Sequence, residues 1–331
     1  MKKILMITHH DLLYDDGDST RIKKIGHLLE DSFQVEYLGL SITSKKEFYK
    51  LFRMIYRILR NDFDYIYCCN QRYIVFILWI MKIFKRYKLV YDALLTWQLQ
   101  KEGRLRAIAE RVAGKCADYI ITASELAGGY FRNSLIIPTL VDTDIFKVNT
   151  QKRLKIRAKY GILENDIIVG LVGGFNNEYN RPLLEYLYQN IDKFDSRIKF
   201  LVIGNISSIL KNRRIIYTGY VEDYVGYLST LDALLVYRTI PTDVAINRIV
   251  EAMAMGIPVF ANPVAGRTME SNAKDIFVFS DQELPSEINR IVANGLNIGM
   301  NERKIAEEYY SEKNYKQKLL EFLNGEEKYN V

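Results

Sequence analysis

A chain of 331 residues exceeds what one ordinary core accommodates and fits two domains of roughly 150 residues each. Hydrophobic residues at 49%, charged residues at 26%, and only 19 Gly and 6 Pro exclude a largely disordered chain. A net charge of +6 suits phosphorylated small molecules or an anionic membrane surface and falls short of the dense basic face of a nucleic-acid binder.

Cys68, Cys69 and Cys116 make an odd count with no Cys-x-x-Cys spacing, so they read as buried small residues in a reducing compartment, the cytoplasm. Met1 to Thr8 runs straight into an apolar strand, without the charged region and cleavage site of a secretory signal. The most apolar run, Ile74 to Met81, stops at Lys82 and is far shorter than the ~20 residues that span a bilayer.

Taken in chain order, short apolar runs alternate with helical periodicity. Strands are expected at 3–8, 34–38, 64–69, 88–92, 118–123 and 135–138, and again at 167–173, 198–204, 214–219, 232–237, 257–261 and 275–280. This alternation predicts α/β architecture, two doubly wound parallel sheets joined within 139–165. Ligands of such sheets bind at the carboxyl ends of strands, where loops meet helix N-termini, and the cleft between two such domains is the expected site. The segment 302–323 reads as helix throughout, with no strand after it.

The first strand ends in "THHDLLYDDGDSTR", where Gly17 precedes a Ser19-Thr20 cap and Arg21 falls in the first helical turn. His9 and His10 stand at the strand end as secondary candidates. Residues 45–60, "KKEFYKLFRMIYRILR", put Phe48, Leu51, Phe52, Ile55, Ile58 and Leu59 on one side, and Lys46, Lys50, Arg53, Arg57 and Arg60 on another. Either the apolar side covers the sheet and the charges are solvated, or the helix lies on an anionic membrane.

Further on, "DVAINRIVEAMAMGIPVFANPVAG" (243–266) carries a stripe of Ile246, Ile249, Val250 and Met253 at helical spacing, which reads as core. Thr242 or Asp243 is a plausible N-cap, and Gly256 ends the helix. Asn247 and Glu251 share another face, with Arg248 three residues before Glu251. A helix starting at Asp243 would set Asp243 and Glu251 ~12 Å apart, too far to share one atom and suitable for two ends of an extended ligand. On pattern alone, capping by Asp243 with a Glu251–Arg248 surface pair is equally available.

The same stretch resembles the C-terminal signature of glycosyltransferase family 4, Glu-x7-Glu running into Ala-Met-Ala-x-Gly-x-Pro-Val. "EAMAMGIPV" (251–259) matches it, with Asp243 where the first Glu usually stands. "CADYIITASE" (116–125), "IIPTLVDTDIF" (136–146), "YTGYVEDYVGYLSTLDALLVY" (217–237) and "AEEYYSEKNYKQKLLEFL" (306–323) resemble further segments of that family, in its order. The resemblance implies the GT-B fold, two Rossmann-like domains facing across a cleft. An N-terminal acceptor-side domain would span 1–148, a C-terminal donor-side domain 149–305, and a terminal helix, 306–331, would cross back to the first domain.

The implied activity is transfer of a sugar from a nucleotide diphosphate sugar, UDP-sugar foremost, to a hydroxyl of a glycan or lipid-linked acceptor. The setting is surface polysaccharide or glycolipid synthesis, with retention of configuration. In the family the second Glu binds ribose hydroxyls and the first binds donor-sugar hydroxyls, which assigns these tasks to Glu251 and Asp243, with Thr242 and Asn247 beside them. Gly17 resembles the glycine of the family's first loop.

Departure of a diphosphate requires fixed positive potential. The family usually supplies an Arg directly after the strand glycine and a Lys a few residues on; this chain has Gly174 at the first place and Asn180 with Arg181 near the second, so Arg181 is the expected diphosphate ligand. Where many members place a His after the fourth strand, this chain offers Asp92, as a positioner of acceptor hydroxyls or, for inversion, a general base. "DGD" (16–18) and "DTD" (142–144) imitate the metal-binding Asp-x-Asp of the other large glycosyltransferase fold but lie inside GT-B-like segments, and the expectation is metal independence without a resident cofactor. Two rivals stand beside this reading: a GT-B nucleotide-sugar epimerase, and a non-catalytic partner subunit, the latter motivated by Gly174 and Asp243.

Overall fold

The computed structural model describes residues 1–8, 17–40, 48–94, 104–131, 133–175, 180–238, 245–266, 277–278, 283–293 and 299–325. It divides into two compact units, Met1–Leu140 with Glu312–Val331, and Val141–Ser311. No helix among the described residues is long and apolar enough to cross a membrane.

The first unit runs β1 (Lys2–Thr8), α1 (Gly17–Leu29), β2 (Phe33–Gly39), α2 (Phe48–Arg60), β3 (Tyr65–Cys69), α3 (Arg72–Met81), β4 (Lys88–Ala93), α4 (Arg104–Cys116), β5 (Tyr119–Thr122), α5 (Glu125–Gly128) and β6 (Ser134–Ile136). Its sheet has the order β2-β1-β3-β4-β5-β6, and every pairing is parallel. A parallel sheet covered on both faces needs near-continuous apolar strands, and Ile4, Leu5, Met6 and Ile7 are all fully buried. Met54 and Ile58 of α2, Val75 and Leu78 of α3, and Ala113 of α4 pack into one core with Leu5, Ile66 and Leu89, so these three helices cover the same sheet face.

The second unit runs α6 (Thr150–Lys159), β7 (Ile167–Val172), α7 (Arg181–Gln189), β8 (Ile198–Ile203), β9 (Ile215–Gly219), α8 (Tyr224–Leu228), β10 (Ala233–Val236), α9 (Asn247–Ala254), β11 (Val259–Ala261), α10 (Pro263–Gly266), β12 (Phe277–Val278), α11 (Leu284–Ala293) and α12 (Gly299–Ile305). Its parallel strands follow the order β12-β11-β10-β7-β8-β9. Alternate strand residues feed two cores: Ile168, Leu201 and Leu234 pack with Ile249, Val250 and Met253 of α9, whereas Val169, Phe200 and Leu235 pack with Leu184 of α7 and Ile288 of α11. The twelve strands among the described residues fall within or beside the runs expected from the sequence.

The terminal segment departs from the single helix its periodicity predicts. After α12 comes a π-helical turn, Ala306–Tyr310, and then Ser311 is extended (φ −68°, ψ 130°) and bridges Val141. The Val141 amide donates to the Tyr310 carbonyl at 2.8 Å, so strand-like pairing with a residue far upstream overrides local helix propensity. Only then does α13 (Glu312–Asn324) begin, in the first unit, against α1. Lys316 of α13 pairs with Asp31, and the Tyr65 hydroxyl donates to the Leu323 carbonyl at 2.7 Å.

A second departure concerns the helix read from Asp243. α9 starts at Asn247, with Ile246 in the N-cap position (φ −75°, ψ 122°) and no side-chain cap. Ala245 and Ile246 are both buried, which draws the chain inward as extended backbone before the helix turns. Thr242 and Asp243 lie outside the described residues, as do His9 and His10.

Candidate active site

In the second unit the strand order reverses between β7 and β10, since β8 and β9 build out on one side and β11 and β12 on the other. Ligands of open α/β sheets bind at the carboxyl ends of the strands at such a switch point. Here β7 leads into Gly173 and Gly174, β10 into Tyr237 and Arg238, and α9 begins a few residues later.

The turn after β7 requires glycine. Gly173 has φ 137° and Gly204, at the end of β8, has φ 131°, conformations that side chains rarely adopt. A Cβ on Gly204 would run into the Gly173 carbonyl, and one on Gly173 would meet Arg248 Nη1 and Asn180 Nδ2. The Asn180 amide donates to the Gly174 carbonyl at 2.8 Å and fixes the far end of the loop to the start of α7. The strand ends therefore present backbone, with Arg248 laid against it.

Arg248 stands in the first turn of α9 and donates from Nη1 to the Val172 carbonyl. Burial, reinforced by the positive charge of Arg238, pushes its pKa down to about 10, while Tyr224 and Glu251 pull the other way. Arg238 is placed by Asn262, whose Oδ1 accepts from the Arg238 amide at 3.0 Å and whose Nδ2 donates to the Arg238 carbonyl at 2.8 Å.

Glu251, one turn further along α9, is 9% exposed and accepts from the Tyr224 hydroxyl at 3.0 Å. Tyr224 opens α8, whose N-cap Asp223 accepts from the Gly226 amide at 3.2 Å. Burial, and then the Glu251 charge, raises the Tyr224 phenol well above its ordinary pKa, so it stays a donor. Asn247 is part-exposed on the same face of α9 as Glu251, four residues before it.

The sequence-derived candidates are thus divided. Asn247 and Glu251 share the start of α9, and the sequence reading had not singled out Tyr224 or Arg238. Arg248 had been weighed only as a surface partner of Glu251; its Nη1 goes to Val172 instead. Arg181 opens α7, where Nε pairs with Glu185 at 2.7 Å and Nη1 donates to the Ser208 carbonyl at 2.7 Å, bonds suited to a helix-start arginine. Asp142 accepts from the amides of Asp144 (2.8 Å) and Ile145 (3.2 Å), so its place in "DTD" is that of a turn cap. Among the described residues no group of three or more His, Cys, Asp or Glu is placed to hold a metal ion.

In the first unit Gly17 is the first residue of α1. Arg21 is not solvated there: it is 7% exposed and donates to Asp92 through Nε (2.8 Å to Oδ2) and Nη2 (3.1 Å to Oδ1), and to the Pro138 carbonyl at 3.0 Å. Asp92, at the end of β4, is fully buried and also accepts from the Tyr67 hydroxyl at 2.6 Å. Burial alone would lower the Arg21 pKa, but Asp92 more than offsets it. With both oxygens engaged and the side chain fully buried, Asp92 anchors α1 to β4.

Residues 166–294, within the second unit, match the family model described as "Glycosyl transferases group 1". The fold is also that of solved GT-B structures. Anabaena Alr3699/HepE in complex with UDP has a TM-score of 0.77 at 17% identity, covering 98% of this chain and 100% of that one. A glycosyltransferase from Rickettsia africae has 0.70 at 15% identity, covering 97% of each chain. WaaG, a glycosyltransferase involved in lipopolysaccharide biosynthesis, has 0.64 at 14% identity, covering 95% and 98%. No curated protein matches the sequence. The GT-B architecture of both units and the group 1 match across the switch point together support a glycosyltransferase.

Proposed function

We propose that the protein transfers a hexosyl group from a nucleotide diphosphate sugar, a UDP-sugar foremost, to a hydroxyl of a glycan or lipid-linked acceptor, with retention and without a metal ion. The observation that carries this reading is the buried Glu251 carboxylate, held by Tyr224 on α9 beside the switch point of the unit that matches group 1 glycosyltransferases. Glu251 would accept hydrogen bonds from the ribose hydroxyls and Asn247 would line the same face, with Thr242 and Asp243 reaching the sugar and Arg181 serving as a further donor-side cation. The occurrence of UDP and UDP-glucose complexes for Anabaena Alr3699/HepE favours UDP as the nucleotide.

Retention places the chemistry on one face of the sugar. The bond from C1 to the phosphate oxygen breaks and its electron pair stays on the diphosphate. That oxygen then takes the proton of the acceptor hydroxyl as the new C1–O bond forms. The protein's part is to hold both partners and stabilise the growing diphosphate charge.

The test is a thermal-shift screen of UDP-, GDP- and ADP-sugars, followed by NMR of the product anomer and turnover in EDTA. Stabilisation by one donor, a retained anomer and activity undiminished by chelation are expected. An isomerised donor without acceptor transfer would identify an epimerase, and silence across the panel a non-catalytic partner subunit.

A membrane-facing acceptor is favoured by a separate observation. On α2, Leu51, Met54, Ile55 and Ile58 turn toward the sheet, while Phe52 (68% exposed) and Tyr56 (57%) face outward beside exposed Arg53 and Arg60. The neighbouring helices add Trp79 on α3 (46%) and Ile108 on α4 (56%). Aromatic and aliphatic side chains mixed with arginines suit an anionic bilayer interface, so we place the enzyme peripherally on the cytoplasmic side of a membrane, in surface polysaccharide or glycolipid synthesis.

A further inference from the structure

We infer that Phe146 and Arg303 are positioning residues for Glu251, closing a ring of contacts that aims its carboxylate; this rests on the reading of Glu251 as the ribose acceptor given above. Every member lies in the second unit, Val141–Ser311, and among the described residues. The ring runs from Arg303 to the Phe146 carbonyl, from the Phe146 side chain to Tyr224, and from the Tyr224 hydroxyl to Glu251. It returns along α9 through the Ala254 carbonyl to Arg303.

The segment Val141–Phe146 forms a strap whose course is fixed. The Val141 amide donates to the Tyr310 carbonyl at 2.8 Å, the Thr143 and Ser311 hydroxyls are 3.5 Å apart, and the Phe146 amide donates back to the Asp142 carbonyl at 3.0 Å. With the backbone so held, the Phe146 ring stands edge-on to that of Tyr224, centroids 6.4 Å apart and planes at 75°. Rotation of a tyrosine about χ2 leaves its hydroxyl on the ring axis. With the backbone of α8 set, χ1 therefore decides where the hydroxyl goes, and a second ring packed against the first restricts χ1. Phe146 thus acts on Glu251 through the hydroxyl that donates to it.

Arg303, on α12, works on the other end of the same bond. Its Nη1 donates to the carbonyls of Phe146 (3.3 Å) and Ala254, and its Nη2 donates to the Thr143 carbonyl (3.3 Å) and pairs with Glu307 (2.8 Å). Ala254 is the last residue of α9, three residues after Glu251, so its carbonyl is one the helix leaves without an internal partner, and a cation there meets the negative end of the helix dipole. One planar guanidinium therefore fixes the strap that carries Phe146 against the helix that carries Glu251. A lysine, with a single ammonium, cannot span the same carbonyls. A carboxylate preset in this way binds hydroxyls without first having to be ordered, which is the use of a supporting shell.

Isothermal titration of the whole protein with UDP and 2′-deoxy-UDP tests the inference, because the ratio of the two affinities reads the ribose contact and a general loss of packing does not move it. The wild type should prefer UDP about tenfold, the worth of one hydrogen bond to a charged group. Phe146→Leu and Arg303→Lys should each cut that preference to about a third or less, whereas Phe146→Tyr, which keeps the ring, should retain it. Phe146→Leu added to Tyr224→Phe should cause no further loss. An unchanged preference in folded Phe146→Leu or Arg303→Lys overturns the assignment of that residue, and a further loss in the double variant overturns the route through Tyr224. A second measurement needs no nucleotide: in thermal unfolding, Arg303→Lys and Tyr224→Phe, at opposite corners of the ring, should be non-additive, and additive effects would overturn the ring. If that coupling is present while the wild type binds neither nucleotide, or both equally, the ring stands and the ribose role of Glu251 fails. If the wild type prefers UDP and both variants keep the preference, the ribose role stands and the positioning fails.

Discussion

The Tyr224 hydroxyl donates to Oε2 of Glu251 at 3.0 Å, which ties the first turn of α8 to the second turn of α9 and aims a buried carboxylate from a rigid helix. A hydrogen bond to a charged group contributes ~1.5–3 kcal/mol, so its loss matters both for where the carboxylate points and for the stability of the pair. Tyr224→Phe is predicted to weaken UDP binding about tenfold, since ~1.4 kcal/mol of lost orientation corresponds to that factor. Titration calorimetry of the variant against the wild type reads this directly, and an unchanged affinity would detach Tyr224 from the site.

The Arg21–Asp92 pair makes the opposite prediction for the first unit. Removing one partner of a buried ion pair leaves a buried charge uncompensated and costs ~3–5 kcal/mol. Asp92→Asn should lower the melting temperature by several degrees, while the folded fraction keeps turnover within a few-fold of wild type. A variant of unaltered stability and abolished turnover would instead support the general-base role that the sequence allows.

Why the sequence allowed it is physical. Arg21 and Asp92 are 71 residues apart and meet only because β1 and β4 share a sheet, so no local pattern announces their bond. The strands were legible because a parallel sheet buried on both faces demands runs such as Ile4 to Ile7. The core stripe of α9 was legible for the same reason, while its start was not: Thr242 and Asp243 have the chemistry of caps, yet buried Ile246 holds the N-cap position. Arg248 sits where helical spacing suggests an ion pair with Glu251, and only the fold shows its Nη1 on the Val172 carbonyl instead. Ser311 breaks an otherwise helical sequence because Val141, 170 residues upstream, pairs with it.

Asp223 gives a pH dependence. Its hydrogen bond to Lys152, with the Gly226 amide adding to it against the effect of burial, holds its carboxyl below the ordinary aspartate pKa of 3.8. A depressed carboxyl stabilises the fold fully above its unfolded pKa, and that contribution disappears as pH falls through the lower folded value. Denaturant titrations should therefore show stability falling below pH 3.8, with Asp223→Ala removing part of the slope. At pH 7 the same variant loses the α8 cap, about 1 kcal/mol. An identical pH slope in wild type and variant would contradict this.

For the membrane reading, the outward face of α2 is decisive. Flotation with vesicles containing anionic phospholipid at low salt should carry the wild type upward, and a Phe52→Ser, Tyr56→Ser double variant should stay in the dense fraction with unchanged melting temperature. Because Phe52 and Tyr56 are exposed, the variant loses little packing. Equal flotation of both proteins would remove α2 from the membrane contact, and absence of wild-type binding would remove the contact itself.

The most direct measurement of the central claim is the affinity of the wild type and Glu251→Gln for UDP-glucose, taken together with their melting temperatures without ligand. Gln keeps an acceptor for Tyr224 and the volume of the side chain, so the fold should be preserved while the charged acceptor for ribose is lost. The prediction is wild-type binding, at least tenfold weaker binding by the variant, and melting temperatures within about two degrees. Equal affinities, or no binding of any nucleotide sugar to the wild type, would contradict the assignment of Glu251 and, in the second case, the function built on it.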